Sequence, residues 1–199
     1  MIPGMPMPRA AALLAATLAG VGVNAPAQPV AYVLDPTHSF VHFEVLHFDT
    51  ATIRGRFGPL QGEVQLDRTA RGGRVQLTIP TADVSTGLPV LDARLREPDM
   101  LDAAGHPQAF FVATRFEFAT DGSVAAVTGE FTLRGRSRAL RLVAQRFRCY
   151  TSPLFRREVC GGDFDADLLR SDFGLTHSLP FVADVVRLRV QVEAVRQAP

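Results

Sequence analysis

Three histidines, two acids and a serine lie within one short stretch, DPTHSFVHFEVLHF, from Asp35 to Phe48. Their types allow two chemistries. His38, His42 and His47 could ligate a metal, since neutral imidazole is a common protein ligand for zinc. Asp35, His38 and Ser39 supply the three groups of a hydrolase triad within five residues. Further along, Asp163, Asp165 and Asp167 alternate in GGDFDADLLRSDFG as acids do in a calcium loop, and Asp172–Gly174 spells the DFG of kinases.

Backbone period decides which of these groups can meet. From Ser39 to His47 the residues Ser39, Val41, Phe43, Val45 and His47 form one face of a strand, and Phe40, His42, Glu44 and Leu46 form the other. His38 and His42 therefore share a face that His47 does not. Strand positions four apart are separated by roughly 13 Å, too far for two nitrogens each about 2.1 Å from one zinc. His38 and Ser39 are adjacent and point to opposite sides, and no GxSxG elbow occurs in the chain. The acidic run lacks the glycine and glutamate that a calcium loop requires. DFG stands without a Gly-rich loop or an HRD-like segment, so it reads as a strand with a polar start. The expectation is thus no catalytic residue, no metal and no cofactor, with His38 capping the strand, His42 exposed and His47 buried and hydrogen-bonded. The rival is a metal-dependent or hydrolytic enzyme that recruits partners from other strands. A third reading is a structural envelope-stress protein with a filled core.

The elements that would carry these residues are strands. Val186, Leu188, Val190 and Val192 interleave with Arg187, Arg189, Gln191 and Glu193, and similar runs occur at 63–67, 74–80, 109–118, 124–133 and 139–147. RGRFGPLQG, ARGG, TDGS and RGRSR punctuate them as turns. One segment, 88–107, breaks the pattern, with Leu91, Leu95, Met100 and Leu101 suggesting short helical turns interrupted at Pro98. The expected fold is all-β: an antiparallel barrel of about eight strands with a short helical insert.

Residues 1–27 read as a leader: Arg9, an apolar run from Ala10 to Val23, then the small-x-small sequence Ala25-Pro26-Ala27. The run is too short for a permanent membrane span. The domain is then 28–199, expected to be periplasmic or secreted. The chain carries 21 Lys plus Arg against 20 Asp plus Glu. Removing Arg9 balances them, which argues against a nucleic-acid partner. For an exported chain, Cys149 and Cys160 are expected to form one disulfide clamping a loop. A redox-reactive pair beside Arg148 is the alternative.

The strand signature YVLDPTHSFVHFEVLHF, with Asp35, His38, Ser39, Phe43, Val45 and His47, resembles that of the YceI-like family. So, in order, do GRFGPLQGEVQLD, HPQAFFVATRFEF, VTGEFTLRGRSRALRL and LLRSDFGL, and together they cover the chain beyond the leader. The resemblance implies an exported, lipocalin-like barrel, without enzymatic activity, that encloses a polyisoprenoid or other amphipathic lipid-like molecule. A homodimer is left open. Combined with the alternation, it assigns the ligand-binding lining to Val41, Phe43, Val45, His47, Leu77, Ile79, Phe111, Phe131, Leu133, Leu140, Leu142, Val186, Leu188 and Val190. Leu91, Leu95, Met100 and Leu101 of the insert would gate or plug one end. The insert departs from the family pattern, with Leu91-Asp92, Arg94-Leu95 and Asp99-Met100-Leu101 where relatives carry an arginine, a histidine and two aromatics.

Overall fold

Alternation of apolar and polar side chains produces strand over most of the chain that the computed structural model describes, Met1 and residues 28–198. Residues 2–27 of the expected leader lie outside the described residues. The strands are β1 (Val30–Leu34), β2 (Phe40–His47), β3 (Ala51–Phe57), β4 (Gln61–Asp67), β5 (Gly72–Pro80), β6 (Gln108–Phe118), β7 (Val124–Leu133), β8 (Arg136–Thr151), β9 (Glu158–Leu169) and β10 (Val182–Arg196). One short helix, α1 (Pro89–Leu95), interrupts them.

These ten strands build a closed antiparallel barrel of eight walls, because two walls are each made of two strands end to end. β1 and β2 occupy successive halves of β10, with Tyr32 opposite Arg196 at one end and His47 opposite Val182 at the other. Beside them β4 pairs with β1 and β3 with β2. The order then runs β4 to β10 through consecutive neighbours, and the β1–β10 pairing closes the ring. The first break falls where the Asp35 carboxylate accepts hydrogen bonds from the Thr37 backbone N–H and hydroxyl at 2.9 and 2.6 Å, a local turn that competes with the ladder. The second falls at Gly58–Leu60, where Pro59 has no N–H to donate.

Two turn and strand expectations are corrected. RGRFGPLQG is not a turn throughout: Arg54–Phe57 is strand, paired from Arg54 opposite Glu44 to Phe57 opposite Val41. Cross-strand pairing outweighs the local glycine content. Gly55 has a packing purpose, since a Cβ there would stand 2.4 Å from the Phe43 ring. Conversely, Asp172–Gly174 is not strand. β9 ends at Leu169, Arg170–Phe173 forms a 3₁₀ turn, and Gly174 caps it at φ 76°, a left-handed conformation that glycine adopts without steric cost. Phe173 is buried edge-on against Phe131, ring centroids 5.4 Å apart. It lies beside the gap where β8 and β9 separate beyond the Val143–Asp165 pair, forming one wall of an outer cleft there.

The insert between β5 and β6 closes a second gap, beside β3. Ser85 exchanges backbone hydrogen bonds with Arg56 at 2.8 and 2.9 Å. Pro89 starts α1, where a missing N–H costs nothing. The helix ends at Leu95, before Pro98 as expected. Arg96 then donates to Ala82 O and Val84 O at 2.6 and 3.0 Å, and Arg134 reaches across to Pro98 O at 2.9 Å. Asp92 accepts the Thr86 N–H and hydroxyl at 2.6 and 2.7 Å.

Candidate ligand-binding cavity

The inward residues of the eight walls do not meet at the barrel's axis. They leave a cavity of about 330 Å³ at the end where the insert sits, within the roughly 300–1,000 Å³ typical of small-molecule sites. Val41, Phe43 and Val45 line it from β2, Leu77 and Ile79 from β5, Phe111 from β6, and Phe131 and Leu133 from β7. Leu140 and Leu142 of β8 and Val186, Leu188 and Val190 of β10 complete the wall, with Leu91, Leu95, Met100 and Leu101 across the end and His47 at the rim. A smaller space of about 70 Å³ lies deeper and shares Leu77, Phe111, Leu142 and Val190 with the first, so these four side chains form a waist between two chambers.

The lining also contains residues that the sequence pattern did not single out. Ile53 and Phe57 come from β3, Phe57 within the segment that reads as a turn and Ile53 just before it; Leu168 and Leu175 flank the 3₁₀ turn, and Val182 opens β10. Of thirty lining residues six carry polar side chains: His47, Thr81, Arg94, Arg170, His177 and Ser178. Polarity is thus confined to a few points around a hydrocarbon-like interior.

Arg170 is the most consequential of the six. Its buried guanidinium donates to four backbone carbonyls, those of Ala183, Leu175, His177 and Val182, at 2.6 to 2.9 Å. It thereby folds the 174–183 loop over the barrel's end. Burial pushes its pKa down while Asp184 opposes the shift. A lone arginine after two leucines gives no sequence signal for this, because its partners are carbonyls. Nearby, Arg94 grips Asp99 through both terminal nitrogens, and His177 Nδ1 lies 3.4 Å from the same carboxylate. The hydrogen bonds from Arg94 hold the Asp99 pKa down at about 2.

The histidine-rich strand is distributed rather than convergent. His47 is half-buried at the rim, edge-on to Phe48 at 4.7 Å between centroids, rather than buried in a hydrogen-bonded niche. His42 faces outward but is half-buried rather than exposed, its ring 6.5 Å from that of Phe40. His38 Nδ1 is 2.8 Å from Asp35 Oδ2, in the break between β1 and β2. Burial works against the Asp35 carboxylate, but hydrogen bonds from Thr37 and His38 outweigh it and lower its pKa. Ser39, fully buried, donates instead to Glu193 O at 3.2 Å. Asp35 and His38 therefore close a local turn with the Thr37 hydroxyl, 2.6 Å from Asp35 and 3.0 Å from His38, outside the cavity lining, and Ser39 takes no part in it. The acidic run is spent on the outer wall, where Asp163, Asp165 and Asp167 pair with Arg146, Arg189 and Arg187.

Cys149 and Cys160 form a disulfide. They stand directly opposite each other in the β8–β9 ladder, Cα atoms 4.0 Å apart, at the barrel end away from the insert. The two strands continue past them to Thr151 and Glu158, so the bond clamps the interior of a hairpin. Among the described residues the one set of potential metal ligands within reach of a common ion is Cys149, Glu158 and Cys160, and its sulfurs are joined to each other. No helix among the described residues is long and apolar enough to cross a membrane.

The sequence profile of the YceI-like domain matches residues 32–194 of this chain. A UPF0312 protein of Pectobacterium carotovorum subsp. carotovorum is 29% identical over 161 residues, spanning 80% of this chain and 82% of its own. Among solved structures, Burkholderia cenocepacia BcnA aligns with a TM-score of 0.65 at 21% identity, over 80% of this chain and 98% of that one. A polyisoprenoid binding domain from Saccharophagus degradans, implicated in plant cell wall breakdown, aligns with a TM-score of 0.61 at 20% identity, over 84% and 99% of the two chains. At these identities the structural likeness concerns the barrel itself.

Proposed function

The chain belongs to the YceI-like family, and from that membership and the cavity we propose that the protein is a non-enzymatic carrier enclosing an isoprenoid, quinone or other lipid-like chain. The observation that carries the reading is the cavity's composition: about 330 Å³ of space bounded by thirty residues of which six are polar. Such a space selects against charged or hydrogen-bonding substrates and for hydrocarbon. Each methylene moved into it contributes about 0.8 kcal/mol, so part of a long chain offsets the entropic cost of association. A relative of this fold described as a polyisoprenoid binding domain is in keeping with that ligand class. A structural protein with a filled core would leave no space of this size.

In this reading the eighteen residues assigned from the sequence form the binding surface, and residues 28–199 act after a leader ending at Ala27 is removed. Export to an oxidising compartment accords with the Cys149–Cys160 bond. Native mass spectrometry of the exported protein, followed by extraction and identification of what is bound, tests the carrier reading, and the mass of the polypeptide tests the cleavage site.

A further inference from the structure

Beside the mouth of the cavity the outer wall carries a strip of exposed apolar side chains. Leu169 on β9 and Val185 on β10 are directly opposite each other in the ladder, and both are exposed. Leu46 points outward from β2, which pairs with β10 at the irregularity between Val182 and Val186. Phe48 and Phe181 continue the strip to the rim: their rings stack at 5.2 Å with 55% and 59% of each residue exposed, and Phe48 N–H donates to Phe181 O at 2.7 Å. Phe48 has φ 49°, a left-handed conformation that disfavours a bulky side chain and suits asparagine or glycine. An aromatic ring is thus held out into solvent at a position where folding alone would select another residue.

We propose that this strip is a docking surface for a lipid bilayer, on which the protein rests while a lipid chain passes between membrane and cavity. The choice of partner rests on the carrier reading. His47 and Val182, the immediate neighbours of Phe48 and Phe181, line the cavity, so the strip is continuous with its mouth. A hydrocarbon chain that crossed water on its way in would expose all of its apolar surface; contact between mouth and bilayer removes that step. The charges around the strip decide how the contact is made. Arg54 pairs with Glu44, Arg138 with Asp172 and Arg187 with Asp167. With these three cations paired, and with Asp49 beside Phe48 and Asp184 beside Val185 in no ion pair among the described residues, the surface has no positive field that selects anionic headgroups, and docking proceeds by insertion of the apolar side chains.

Flotation of the ligand-free protein with phosphatidylcholine vesicles, with and without phosphatidylglycerol, is the test. The wild type binds both compositions with little dependence on salt. The double variants Phe48→Asn/Phe181→Ser and Leu169→Ser/Val185→Ser each lose at least about tenfold in vesicle affinity, while keeping the wild-type unfolding transition and uptake of a soluble fluorescent fatty acid. Phe48→Asn suits the left-handed backbone, so misfolding does not mimic the effect. Failure of the wild type to float, binding that requires phosphatidylglycerol, or a stable dimer dissociated by both double variants would each overturn the proposal, the last by showing that a second copy covers the strip. Floating is read apart from cavity loading, so a protein that floats but takes up no lipid supports the docking surface and removes the carrier reading.

Discussion

Arg94 on α1 and Asp99 in the turn after it are joined by two hydrogen bonds, at 2.5 and 2.6 Å, at the edge of an otherwise hydrocarbon-like cavity. With Arg96 tied to Ala82 and Val84 and with Arg134 tied to Pro98, the insert is anchored as a fixed rim. In the carrier reading, its inward side chains rather than its displacement are expected to determine what the cavity retains.

Leu95→Asp places a carboxylate against that apolar lining. The cations nearest in the lining, Arg94 and Arg170, are already engaged by Asp99 and by backbone carbonyls, and a bound hydrocarbon would deepen the desolvation of an ionised group there. The expected outcome is at least a tenfold weaker retention of a fluorescent fatty acid with the barrel still folded by circular dichroism. Unchanged retention in a folded variant would show that the insert does not bound the site.

The waist of Leu77, Phe111, Leu142 and Val190 separates the two chambers. Leu142→Ala should destabilise the empty protein by about 2–5 kcal/mol in urea unfolding, through lost burial and the enlarged cavity. The same variant joins the chambers, so across an isoprenoid series the longer chains gain affinity relative to the shorter ones. An unchanged ranking would contradict the role of the waist.

Tyr32, 3% exposed, donates its hydroxyl hydrogen to Glu158 Oε1 at 2.5 Å. Burial first, and then the Glu158 hydrogen bond and charge, push its pKa up to about 12 from 10.0. A raised folded pKa means stability that is complete below the unfolded value and is lost as pH climbs through the folded one. The melting temperature should therefore fall between about pH 10 and pH 12, and Tyr32→Phe should flatten that part of the profile. A wild-type profile that Tyr32→Phe leaves unaltered would refute the assignment.

The Cys149–Cys160 bond closes ten intervening residues. On the chain-entropy account, reducing it should cost about 2–3 kcal/mol, read as a lower urea midpoint, with Cys149→Ser/Cys160→Ser behaving alike. Affinity for a chain held in the 330 Å³ cavity should hardly change, because neither cysteine lines it and Cys160 borders only the smaller, deeper chamber. Thiol counting on the unreduced, exported protein should find none free; two would refute the bond, and an oxidised pair that mild glutathione reduces would favour the redox-reactive alternative.

Much of this was legible because a two-residue period states which side chains share a face. Val41, Phe43 and Val45 announce an inward wall, and Val186, Leu188 and Val190 another. Phe57 was hidden because Gly55 and the Gly58-Pro59 pair imitate turn chemistry, and Ile53 because the strand before them is too short to show a period, while the pairing that makes both strand comes from β2. Arg170 was hidden for a different reason: its partners are backbone carbonyls, which carry no sequence identity. Neither the two chambers nor the anchoring of the insert could be read from a one-dimensional pattern, since both depend on how eight walls close.

The carrier account stands most directly on the contents of the cavity. Native mass spectrometry of the exported, unreduced protein, with lipid extraction and exposure of the stripped protein to quinones, isoprenoids and fatty acids, should show a bound apolar chain that is released on unfolding and taken up again. A protein that is reproducibly empty and takes up none of the three would contradict it.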